Sequence, residues 1–132
     1  MQIVRFVFFF LLFCGVGCSK KDATYYRYEA GKVQVAIYSE LSKVHTLQDL
    51  LERQETLSFL FDQLAEDAVQ AASMTRQQVP LDEKSQKINQ QLMMEMGRVL
   101  LIPGAQTVIE VCQESGLEKI DAFEKGILPR TL

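Results

Sequence analysis

The side chains with nucleophilic or soft-ligand chemistry are few: Cys14, Cys18 and Cys112, and a single histidine, His45. A zinc site needs three or four ligands, and one histidine permits neither an HxxxH nor an HExxH pair. Cys112 and His45 are the residue types of a thiol nucleophile and its base. Nothing beside Cys112 marks it as activated, and a lone thiol of this kind reads as a small core residue. The carboxylates Glu52, Glu55, Asp62, Glu66 and Asp67 share one stretch with a leucine pattern. They alternate with that apolar face, which predicts a solvated outer surface and not an acid–base pair. Neither GxGxxG nor GxxxxGK occurs, so no phosphate-cradling loop is written into the chain. No catalytic residue, metal site or cofactor is expected, and a non-enzymatic role follows from that inventory.

Cys18 has a distinctive setting. It follows the apolar run Phe6–Phe13 and the small junction Gly15-Val16-Gly17, and Ser19-Lys20-Lys21 follow it. Arg5 is the only charged side chain before Lys20. A cationic start, an apolar middle and a small-residue junction are the layout of an export signal over residues 1–17. An uncleaved membrane helix needs roughly 20 apolar residues, more than this segment offers. An ordinary secretory signal, with Cys18 incidental, is the other alternative.

Gly15-Val16-Gly17-Cys18 resembles the lipobox of bacterial lipoprotein precursors, with glycine at 15 where an aliphatic residue is usual. The resemblance implies cleavage before Cys18 and attachment of diacylglycerol to its sulfur, with acylation of the new amine. It further implies a domain exported to the cell envelope and held at a membrane by its lipid anchor. Ser19, in place of Asp, tilts the expectation towards the outer membrane. Several acyl chains, at about 0.8 kcal/mol per buried methylene, anchor stably without a spanning helix.

Of the 14 basic and 17 acidic side chains, loss of residues 1–17 removes Arg5 alone, so the remainder is more acidic than the whole chain at −3. That balance argues against nucleic acid as a partner and against a broad basic membrane-binding patch. Cys112 is then the one cysteine without an assigned fate, so stability must come from packing and not from a disulfide.

The sequence predicts residues 18–24 as a lipidated tether and 25–132 as one small, mainly α domain. Val33, Val35 and Ile37 alternate with Lys32, Gln34 and Ala36, and Gly31 follows Tyr25-Tyr26-Arg27-Tyr28. This period of two predicts a short N-terminal β-hairpin. Thr46 and Asp49 form a near capping box ahead of a long helix. Leu47, Gln54, Phe61 and Ala68 share one heptad position there, and Leu50, Leu57, Leu64 and Ala71 the other. Gln54 interrupts the seam, and Val79-Pro80 should end the helix. Asp82 can cap a second helix bearing Ile88, Leu92, Met96, Val99 and Leu100, ended by Pro103-Gly104. The short connection predicts a long antiparallel helical hairpin. Two shorter helices are expected behind it, over 105–115 and 117–125, separated by Gly116, with a strand as the alternative for 105–115 because Thr107-Val108-Ile109-Glu110-Val111 is rich in β-branched residues.

Tyr25, Tyr26, Tyr28 and Tyr38 cluster near Cys18 and suit a partner surface or the lipid head-group level. The functional expectation is a membrane-tethered envelope lipoprotein serving as an interaction or accessory module for a protein partner in an envelope or secretion assembly. The alternative is a small-molecule or lipid carrier, with Phe59, Phe61, Met93 and Met96 lining an apolar pocket between the long helices.

Overall fold

The computed structural model describes residues 21–74 and 82–126. These residues form a helical bundle of five helices: α1 Lys21–Ser42, α2 Leu47–Glu52, α3 Gln54–Met74, α4 Glu83–Leu100 and α5 Ala105–Glu124. Residues 1–17, expected to be an export signal, Cys18 and Val79-Pro80 lie outside the described residues.

The N-terminal β-hairpin is corrected: residues 21–42 are one helix, and there is no strand among the described residues. Residues 21–24, expected as part of the tether, belong to this helix. The alternation of Val33, Val35 and Ile37 has a helical explanation. α1 is sandwiched between α3 and α4, so apolar residues are useful around a wide arc and not along one stripe. Ala30, Ile37 and Leu41 are buried, with spacings of seven and four that keep them on one face. Val33 leans on the same core, while Val35 is half exposed.

The caps follow the sequence. Asp49 N–H donates to Thr46 Oγ1 at 3.1 Å, and Thr46 N–H donates to Asp49 Oδ2 at 3.1 Å, completing the capping box of α2. Ser85 N–H donates to Asp82 Oδ1 at 2.7 Å at the start of α4. The long helix expected after Thr46 is broken once, at Arg53, where φ −101° and ψ 1° interrupt the helical path. Arg53 Nη1 then donates to Glu40 Oε2 at 2.8 Å and ties this corner to α1.

The predicted antiparallel hairpin of α3 and α4 is also corrected. α3 packs on α1 and α5, α4 packs mainly on α1, and α3 and α4 barely touch. The apolar face of α4 was assigned correctly, since Leu92, Met96 and Val99 are buried. Its partner differs from the expectation, because α1 is a helix and covers that face. α4 runs parallel to α1: Gln34 meets Asn89, and Leu41 meets Arg98. α5 runs parallel to α3 in the same way, with Cys112 at Gln54, and Ser115 and Lys119 at Asp62.

α5 is one helix, where two had been expected on either side of Gly116. Gly116 does not end a helix; it lets two helices meet. A Cβ there would sit 3.0 Å from the Phe61 carbonyl oxygen and 3.1 Å from Ala65 Cβ. Gly104, by contrast, has φ 85° and begins α5 from the left-handed region, which glycine adopts without steric cost.

Candidate functional site

Leu57, Phe61, Leu64, Leu92 and Met96 are fully buried in one continuous core. Phe61 and Met96 therefore fill space, whereas Phe59 and Met93 face outwards. The four side chains assigned to an apolar pocket between long helices do not line one together.

The tyrosines divide. Tyr25 and Tyr28 are 54% and 64% exposed on the first turns of α1, and Tyr38 packs against the core. Tyr26 meets Tyr25 edge-on, with ring centroids 5.2 Å apart. Lys32 Nζ lies 5.2 Å from the Tyr28 ring centroid and donates to Glu29 Oε1 at 3.1 Å. One end of α1 thus presents aromatic faces to solvent, and one of them is met by a cation.

Beside Tyr28 is a cleft of about 520 Å³ between the first halves of α1 and α4. Arg27, Lys32 and Val35 line it from α1, and Lys84 and Ile88 from α4. Asp82 also lines it, with its carboxylate pKa lowered by the hydrogen bond from Ser85 N–H and aided by the charge of Arg27. No local signal in the sequence marks this site, because its parts lie some 50 residues apart and the alternation of Val33, Val35 and Ile37 imitates a strand.

A second exposed feature was also missed. Met93 and Met94 lie on the outer side of α4 and Leu101 at its C-cap, with Met94 76% and Leu101 84% exposed. The outward direction of the methionines depends on which helix α4 faces.

The residues with nucleophilic or acid–base chemistry occupy different settings among the described residues. Cys112 is buried, with Sγ donating to the Gln54 carbonyl oxygen at 3.6 Å, and burial pushes its thiol pKa up. His45 is exposed in the loop before α2, where its backbone N–H donates to Asp49. Glu52, Glu55 and Glu66 are exposed as expected, but Asp67 is buried on α3. Burial, with the like charges of Glu29 and Glu66, raises Asp67 to about 6. Asp62 takes the opposite direction. Burial alone would raise it, but hydrogen bonds from Lys119 and Ser115 and the Lys119 charge bring it below the usual range.

Among the described residues, no group of three or more His, Cys, Asp or Glu is arranged to hold a metal ion. No described helix is long and apolar enough to cross a membrane. No family model, curated protein or solved structure matches this chain.

Proposed function

We propose that this protein is a membrane-tethered envelope lipoprotein whose helical bundle is an interaction module for a protein partner, with lipid carried on Cys18. What supports this reading is the short stretch of sequence between that cysteine and the exposed tyrosines. α1 begins at Lys21, three residues beyond Cys18, and presents Tyr25 and Tyr28 within its first turns. Three peptide steps span at most about 11 Å. Seven further helical residues add about 10 Å. The aromatic face therefore operates within about 20 Å of the acylated sulfur, at the membrane surface, where tyrosine's apolar ring and polar hydroxyl are both accommodated.

The partner would dock across Tyr25 and Tyr28, whose rings are rigid and lose little side-chain entropy on binding. Tyr26 supports Tyr25 from the side, and Tyr38 anchors α1 to the core.

Metabolic labelling of the full chain with palmitate tests the tether. Cys18→Ser is expected to abolish labelling and release the domain from the membrane fraction; unchanged labelling would remove Cys18 as the attachment site. Replacing Tyr25 and Tyr28 together by alanine should leave both labelling and melting temperature intact while abolishing in-cell cross-linking to the partner. Cross-linking that survives the double replacement would exclude this face.

A further inference from the structure

We infer that the cleft between α1 and α4 binds an anionic amphiphile: one phosphate or carboxylate head on a short apolar stem. A volume of about 520 Å³ lies within the range of small-molecule sites, roughly 300–1,000 Å³. Its wall combines two chemistries that a monomeric helix pair has little reason to bring together. Val35 and Ile88 offer apolar surface that the bundle leaves unfilled, while Arg27, Lys32 and Lys84 place three cations around it. Asp82 in the same wall and Glu29 beside Lys32 offset two of these charges, which leaves a small positive excess on a chain whose net charge is −3.

The carboxylates nearby are already engaged. Asp82 accepts from Ser85 N–H, and Glu29 accepts from one of the three N–H donors of the Lys32 ammonium, so Lys32 would share its charge between Glu29 and a head group. Lys84 belongs to the first turn of α4, one helical turn before Ile88, so the cation stands beside the apolar wall. A head held by Lys84 and Lys32 would lay its stem along Val35 and Ile88. Gly31 completes the wall: a Cβ there would meet nothing within 4 Å. A helix-interior glycine costs roughly 1 kcal/mol relative to alanine. Here it leaves the cleft one side chain wider. Further along, the same helix pair is closed by the Gln34–Asn89 hydrogen bond at 2.7 Å, which gives the site an inner end.

The inference is independent of acylation at Cys18, so its failure and failure of the tether are separate results. The test titrates the full-length chain with dodecyl phosphate below its micellar concentration, followed by intrinsic fluorescence. The chain has no tryptophan and four tyrosines, and Tyr28 lines the cleft. Saturation at one site per chain is expected. Lys84→Glu should weaken binding about tenfold by reversing the charge beside the head. Gly31→Leu should weaken it at least as much by occupying the cleft, with no fall in melting temperature. Inorganic phosphate and uncharged dodecyl maltoside should each bind at least about tenfold more weakly than dodecyl phosphate. Equal affinity for dodecyl maltoside would reduce the site to exposed apolar surface, and equal affinity for inorganic phosphate to a bare anion site. Either result overturns the inference, as would non-saturating binding or two variants with unchanged affinity.

Discussion

The α1/α3 pair carries one further helix on each side, and the two seams are built differently. On the α5 side, Gly116 brings a helix backbone against the Phe61 carbonyl, and Cys112 Sγ reaches the Gln54 carbonyl. Lys119 Nζ and Ser115 Oγ close the outer edge on Asp62, at 2.7 and 2.8 Å. On the α4 side, Leu92 and Met96 are buried and Arg98 donates to the Leu41 carbonyl at 2.9 Å, but the opposite end of the seam is an open cleft. A mid-helix glycine lies in each seam. One is a contact; the other faces space. The lesson is that glycine's missing side chain permits close packing only where a neighbour already occupies the position.

The largest effect should come from breaking the closed seam. Gly116→Leu requires a Cβ where the Phe61 oxygen lies 3.0 Å away and Ala65 Cβ 3.1 Å away. Two buried helices must then separate, and overpacking of this kind costs about 3 kcal/mol or more. That is a large part of a small domain's usual stability of about 5–15 kcal/mol. Urea denaturation should show a much lower midpoint or no folded baseline. A wild-type midpoint would mean that α3 and α5 are free to part.

The same comparison extends to two carboxylates on α3. Asp62 faces α5 and finds Lys119; Asp67 is buried and has Glu29 and Glu66 for neighbours. Its folded pKa of about 6 lies above the ordinary value of 3.8. The cost to stability is therefore absent below about pH 4, grows through the interval, and is complete above about pH 6. Asp67→Asn should stabilise the domain at pH 7.5 by up to about 3 kcal/mol, the equivalent of roughly two pKa units. The gain should vanish at pH 4. Urea melts at both values check the sign, and a gain independent of pH would assign the effect to packing. Asp49, Asp62 and Asp82 are lowered and weaken the fold as pH falls through their depressed values. The difference between variant and parent isolates Asp67 from them.

Local signals in the chain were legible. Thr46-Asp49 and Asp82 cap helices where their chemistry said they would, and Leu57, Phe61, Leu64, Leu92, Met96 and Val99 form core. Even Gln54, which interrupts the leucine seam, marks the break between α2 and α3. What was illegible depends on neighbours. Val33, Val35 and Ile37 imitate a strand because α1 has helices on two sides, which broadens its apolar arc. Gly116 imitates a helix stop because a glycine for close approach and one for chain reversal are the same letter. The cleft needed both facts: α1 had to be a helix, and α4 had to lie parallel to it. Asp67 read as solvated because spacing on α3 does not reveal how deeply α1 covers it.

The smallest expected effect sharpens the comparison most, because it has the opposite sign. Gly31→Ala puts a methyl group into a position with no atom within 4 Å, in the interior of a 22-residue helix. No contact is strained and none is gained. What changes is the unfolded chain, which has fewer conformations to lose, and the helix, which exposes less backbone to water. The expected result is a gain of about 0.5–1 kcal/mol in urea denaturation, with an unchanged m-value. Gly116→Ala gains the same propensity but must also displace the Phe61 carbonyl, so it should be neutral or destabilising. If both alanines stabilise equally, the two glycines occupy equivalent surroundings and the distinction between a closed and an open seam is lost. If Gly31→Ala destabilises, α1 has a neighbour at that position, and the cleft is narrower than its geometry indicates.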